Sequence, residues 1–392
     1  MKVLVELRVV QTPATSPTTT LLLTPRREVV RTLVVASAPA LAIYAASRLV
    51  VLALMALVAK VRHHALGHYL TRWDSHWYIQ IARHGYAHAI PRGHGSVAQV
   101  NLGFFPLLPL LIRLTHWMTR LSFPASGEAV TFVAGAFAAV GVWWMVRDHY
   151  GEKIATRATA LVFVSPAAVV FSFVYTEGLI IALASITLLA LHRRRWILAG
   201  VAAALATACD PVASAIIAPC AIAAYTAWRS ERDARAWWAP ALAPVGIGLF
   251  FMYLWIHTGS PLSWYLAQRA GWQAGPMGTG VFYAIYRLFN SGVHDLNSLV
   301  KTFAFFAAVG IVVLWRRVRP PLTWTAYAGA VLVFGFLSPI VGISPRLLLR
   351  GFPLFAFVAA GVSRQRFVVI LTLSALAMCV LSVASTSIAW TP

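Results

Sequence analysis

The sequence predicts an all-α polytopic membrane protein of about 11 transmembrane helices with long outer loops, and three observations carry that prediction. Hydrophobic residues make up 60% of the 392-residue chain and charged residues only 11%. The mean hydropathy is +0.75, too apolar for burial in one water-soluble core, so lipid must be the solvent. Apolar stretches of about 20 residues, enough for a helix to cross the hydrocarbon, are separated by short basic clusters and Pro or Gly breaks.

In chain order, residues 1–32 read as a disordered cytoplasmic tail, because the TPATSPTTT tract lacks apolar patterning. The apolar span that follows is too long for a cleavable leader. Residues 33–392 then form the transmembrane domain. Its clearest spans are 33–59, 128–146, 157–174, 237–257, 298–315, 323–341 and 367–387. Shorter apolar segments at 177–192, 196–210, 212–228 and 351–363 complete the set.

Orientation follows from the basic clusters, since Lys and Arg near span ends are retained in the cytoplasm. With the N-terminus inside, alternation places Arg147/Lys153/Arg157, Arg193/Arg194/Arg195, Arg229/Arg232/Arg235, Arg316/Arg317/Arg319 and Arg364/Arg366 on that same face. This requires that the stretch from Phe104 to Met118 does not cross. Its Pro106, Pro109 and Arg113 suit an interfacial or re-entrant helix. The outer face then carries two long connections, 60–127 and 258–297, with aromatic amphipathic segments (Trp264 to Trp272, Phe282 to Phe289) suited to the headgroup zone as juxtamembrane helices. An enzyme acting on a lipid-linked substrate needs such shelves; a pore or carrier does not.

The net charge of +21 comes from 32 basic and 11 acidic residues. Their placement between spans points to lipid headgroups and orientation rather than nucleic acid. Three cysteines, Cys209, Cys220 and Cys379, have no disulfide or metal spacing. The histidines of the first outer loop, His63, His64, His68, His76, His84, His88 and His94, flank no carboxylate in a ligand pattern, so no metal is expected. Gly-rich phosphate loops and nucleotide fingerprints are absent, so no cofactor or soluble sugar nucleotide is expected either.

Six acids, Glu6, Glu28, Asp148, Glu152, Glu231 and Asp233, fall beside cytoplasmic basic residues and read as solvated charge. Asp74, Glu128, Glu177, Asp210 and Asp295 do not, and a carboxylate at membrane depth is expensive, by about 3 kcal/mol on insertion scales. Asp74 is the only acid between Glu28 and Glu128 and sits among Trp73, His76, Trp77 and Tyr78. It either pairs with Arg72 or Arg83 to pin the loop or acts as a general base toward an acceptor hydroxyl. Glu177 either complements a helix N-terminus or joins the same pocket. Asp210, before Pro211, suits a helix cap. Arg346 and Arg350 are four apart, on one face of a helical turn, where guanidiniums either grip a phosphate or snorkel to the interface.

The ordered segments WDSHWYIQIARHGY, NLGFFPLLPLLIRL, SPAAVVFSFVYTEGL, HRRRWILAG and SPRLLLRGFPLF together resemble the PIG-V-type mannosyltransferases, the GPI mannosyltransferase 2 family and its bacterial relatives, over residues 40 to 365. The resemblance implies a GT-C-type glycosyltransferase fold, a lipid-phosphate-linked mannose donor, no nucleotide and a site on the non-cytoplasmic face; the acceptor stays open between a glycolipid or other glycan and a protein hydroxyl. It implies Asp74 and Glu177 as catalytic acids, and Arg346 as the late outer-face arginine. Arg350, Trp73, His76, Trp77 and Asp210 join them as expected substrate contacts. Where bacterial relatives often carry an Arg-Pro element, this chain has Cys209-Asp210-Pro211, which reverses the charge. The Arg- and Ala-rich composition suits a bacterial plasma membrane, where the donor would be a polyprenyl phosphate mannose.

The expected reaction is a single inverting displacement, with Asp74 taking the acceptor proton and Arg346, with Arg350, holding the departing phosphate. The alternatives are a transporter or lipid flippase, in which the acids would be ion sites, and a non-catalytic partner that kept the fold. No internal repeat supports the transporter.

Overall fold

A computed structural model of the chain describes residues 26–90, 99–272, 279–291, 295–338, 342–388 and 390–391. Residues 1–25 of the expected tail lie outside the described residues, whereas 26–32 already belong to the first helix. Among the described residues the ordered elements are all helical.

The chain runs through α1 (Arg26–Val61), α2 (Asp74–His84), α3 (Leu107–Thr119), α4 (Phe123–Tyr150), α5 (Glu152–Phe163), α6 (Glu177–His192), α7 (Trp196–Thr207) and α8 (Ile217–Glu231). It continues through α9 (Val245–Thr258), α10 (Ser263–Trp272), α11 (Thr279–Ser291), α12 (Leu296–Val318), α13 (Leu322–Leu337), α14 (Pro345–Arg350), α15 (Pro353–Gly361) and α16 (Arg364–Ala384). Each apolar segment predicted from the sequence meets a helix or a broken helix. By length and composition, however, six described helical segments are able to cross a membrane alone, or seven with one bent pair, so eleven crossings are not established.

The bent pair corrects the predicted continuous span 157–174. Helix α5 stops at Phe163, and a 3-10 segment, Pro166–Ser172, leaves at 76°. Pro166 is the cause: it lacks an N–H and drives Ser165 into extended backbone (ψ 158°). Arg48, buried within α1, holds the bent segment by donating from Nη1 to Ser172 Oγ at 2.7 Å. The break matters because it delivers Tyr175 and Glu177 to the start of α6. There Gly178 lets α6 lie against α4: a Cβ on Gly178 would stand 2.9 Å from the Gly135 nitrogen.

Two ends of the bundle are chemically distinct. At one, Arg193 pairs with Asp148 at 2.5 Å, Arg194 pairs with Glu231, the Trp196 indole donates to Asp233 at 2.8 Å, and Arg157 lies 4.9 Å over the Phe367 ring. Four of the five predicted basic clusters therefore meet there. Helix α6 leads from this end to the other over 16 residues, about 24 Å. Helix α3 has 13 residues, about 20 Å, too short for a hydrocarbon core of about 30 Å. Arg113 at its middle donates to the carbonyl of Ala82 at 2.8 Å, so α3 packs with α2 at the second end.

Candidate active site

The second end gathers five charged side chains from four separate stretches of chain. Ser344 caps α14 by accepting from the Leu347 amide, with Pro345 in the first turn, and the helix then presents Arg346 and Arg350 one turn apart on the same face. Arg346 donates from Nη1 to Asp74 Oδ2 at 2.8 Å and from Nε to Glu177 Oε1. Arg350 donates to the same Glu177 oxygen from Nε at 3.1 Å and Nη2 at 2.8 Å, and from Nη1 to Asp210 Oδ1 at 3.0 Å. The pairing of Asp74 with Arg72 or Arg83 is therefore not what the fold forms.

These bonds grade the site by depth. The Glu177 side chain is fully buried and that of Arg350 6% exposed, while those of Arg346 and Asp74 are 15% and 31% exposed. Glu177 Oε2 is buried and accepts from no described residue. Glu177 stands both in the first turn of α6 and inside the ion-paired cluster. Asp210 likewise caps, accepting from the Val212 amide at 2.8 Å, and pairs with Arg350 through the same oxygen. Three carboxylates against two guanidiniums leave one formal negative charge in excess.

Asp74 is held from both sides of its backbone. Its amide donates to the Tyr175 hydroxyl at 3.3 Å, and the Tyr175 ring carries the Arg346 guanidinium at 4.4 Å. The preceding residue, Trp73, has φ 57° and ψ −132°, a conformation that favours glycine. It is fixed there by its indole N–H, which donates to the Ser385 carbonyl at 3.0 Å, while Arg72 and Arg62 donate to the next carbonyl, that of Thr386. These acceptors follow the C-terminal turn of α16, where cations and donors are favoured.

Not every expected contact joins the cluster. His76 is exposed, and Trp77 stacks on Phe104 at 5.7 Å and meets Trp272 at 6.3 Å. Helix geometry turns His76, two positions after Asp74, away, and returns Tyr78, four positions after it, to the same face; Trp77, three positions after it, is drawn off by its packing on Phe104 and Trp272. Tyr78 is buried facing the cluster. Burial pushes its phenol well above the ordinary value, and Asp210, Asp74 and Glu177 add to this against Arg346. The sequence placed Tyr78 beside Asp74 without a role, although the four-residue spacing puts it on the Asp74 face, and carried no signal for Tyr175. Among the described residues no three His, Cys, Asp or Glu side chains gather as a metal donor set.

Beside the cluster an apolar cavity of about 670 Å³ opens between α2, α3, α7 and α9. Ile81 and Leu107 are part of its wall, as is Ala208, two residues before Asp210.

Comparison with solved structures places the fold among the GT-C glycosyltransferases. ArnT from Cupriavidus metallidurans bound to undecaprenyl phosphate superposes with a TM-score of 0.50 at 16% identity, over 82% of this chain and 62% of that one. The Archaeoglobus fulgidus oligosaccharyltransferase, in complex with Zn and sulfate, gives 0.46 at 13% identity, over 82% of this chain and 48% of that one. The chain thus spans less than two thirds of either structure. No curated protein matches it significantly. The profile of the mannosyltransferase (PIG-V) family matches residues 29–224, half of the chain and both acids of the Asp74–Arg346–Glu177 array, and the protein belongs to that family.

Proposed function

We propose that this integral membrane protein transfers mannose from a polyprenyl-phosphate-linked donor to an acceptor hydroxyl, on the non-cytoplasmic face opposite the basic clusters. One observation carries the reading: Arg346 bonds both Asp74 and Glu177, residues 272 and 169 positions away, at the partly open rim of an otherwise buried array. The family supplies the sugar, and undecaprenyl phosphate in the ArnT structure supplies the class of lipid.

In the proposed step the acceptor hydroxyl gives its proton to Asp74 as its oxygen attacks the anomeric carbon. The bond from that carbon to the phosphate oxygen breaks, and the polyprenyl phosphate leaves with its charge held by Arg346. Arg346 begins as the partner of Asp74. Phosphate binding then competes for the guanidinium and leaves the carboxylate freer to accept a proton, so the base is uncovered when the donor arrives. Glu177 Oε1 keeps two bonds, because Arg350 donates to it from both Nε and Nη2. Arg350 is therefore read as a positioning residue rather than a phosphate clamp. The apolar cavity beside Asp210 fits the hydrocarbon of the lipid-linked substrate.

The test is transfer by the purified protein, without other subunits, from polyprenyl-phosphate-mannose to a panel of glycolipid acceptors. Mannosylated product supports the reading. Release of no sugar to any acceptor, with intact donor binding, favours the non-catalytic partner.

A further inference from the structure

A second site lies at the opposite end of the bundle from the five-charge array. In the run Arg193–Arg194–Arg195, the first two arginines are matched by Asp148 and Glu231. The third is not: neither Arg195 nor Arg235 meets a carboxylate among the described residues, and the two share a cavity of about 510 Å³ with Trp196, Ile197, Leu198 and Trp238. The nearby acid, Asp233, has both oxygens engaged, Oδ1 by the Arg235 amide at 3.0 Å and Oδ2 by the Trp196 indole at 2.8 Å. Arg195 is also the N-cap residue of the 12-residue helix α7, whose first amides receive no side-chain cap. Two exposed guanidiniums and a helix N-terminus thus border one open surface groove, an arrangement suited to a phosphate at the membrane surface.

The remaining wall says what carries that phosphate. Trp238 and Ile197 are 53% and 61% exposed, and the stripe Leu198–Val201–Leu205 runs exposed down α7 from the cavity for about 10 Å. Tryptophans beside arginines mark headgroup depth, and an apolar stripe below them suits an acyl chain. We infer that the cavity between α7 and the Trp238–Leu242 turn binds the phosphate of an anionic phospholipid from the leaflet on the basic side, its acyl chain lying along α7. The headgroup site lies apart from the five-charge array, although Val201 and Leu205 of the stripe also wall the cavity of about 670 Å³ beside that array.

The experiment is native mass spectrometry of the whole protein released from nanodiscs of mixed phosphatidylglycerol and phosphatidylcholine, with thermal unfolding measured in parallel. Arg195→Gln/Arg235→Gln is compared with Arg229→Gln/Arg232→Gln, which removes equal charge outside the cavity. The site predicts retained phosphatidylglycerol in the native protein and the control. It predicts about tenfold less in the cavity variant, with an unchanged unfolding midpoint in pure phosphatidylcholine. Equal retention by both variants overturns the inference, as does equal retention of phosphatidylcholine. An unfolding shift produced fully by inorganic phosphate alone would likewise reject a lipid ligand.

Discussion

Arg350 holds Glu177 through two hydrogen bonds to a single carboxylate oxygen, at 3.1 and 2.8 Å, where the Glu177 side chain is wholly buried. A buried carboxylate is tolerable only while its cations stay: without Arg350, Arg346 alone would face both Glu177 and Asp74, and Asp210 would lose its partner. Arg350→Met therefore destabilises the protein by about 3–5 kcal/mol, seen as a fall in the detergent unfolding midpoint. A variant of native stability would show that the pairing is not structural.

Asp210 supplies the negative charge that exceeds the two arginines. Asparagine keeps the cap on the Val212 amide while removing that charge. Asp210→Asn should lower the donor KM by roughly fivefold, the effect of about 1 kcal/mol of relieved repulsion toward an anionic phosphate, with kcat nearly unchanged. Donor titration checks this.

Trp73 links the carbonyl of Ser385 to the backbone just before Asp74. Trp73→Phe keeps a ring and loses the N–H, at about 1 kcal/mol. If that bond sets where Asp74 stands, kcat falls roughly fivefold while donor KM holds. Equal changes in the two constants would assign Trp73 to binding instead.

Outside the spans, Asp295 caps α12. Burial would raise its carboxyl, but hydrogen bonds from Ser298 and Arg287 outweigh this and hold it below the usual value. A depressed value stabilises the fold above the unfolded pKa of about 4, and the gain is lost as pH falls through the folded one. Asp295→Asn should thus lower stability by about 0.5 kcal/mol at pH 7 and show a shrinking difference from the native protein in acid. Unfolding midpoints across pH measure it.

The membrane class, the helix order and the common end of the basic clusters were legible in the sequence because hydropathy and charge placement are local signals. The break at Pro166 was less so, for its neighbours are apolar enough to read as one span. Asp74, Glu177, Asp210, Arg346 and Arg350 were each visible as charges out of place, yet no linear pattern joined them. Their pairing depends on the turn at Ser344–Pro345 and on the bent segment that delivers Glu177. His76 and Trp77, expected as substrate contacts from their place beside Asp74, lie outside the ion-paired cluster, His76 exposed and Trp77 against Phe104 and Trp272.

The account rests on Asp74 as the group that receives the acceptor proton. The most direct measurement is the turnover of Asp74→Asn on polyprenyl-phosphate-mannose in reconstituted vesicles, with folding verified by its unfolding midpoint. A loss of about 10²–10⁴-fold in kcat is predicted. Turnover at the native rate would contradict the mechanism.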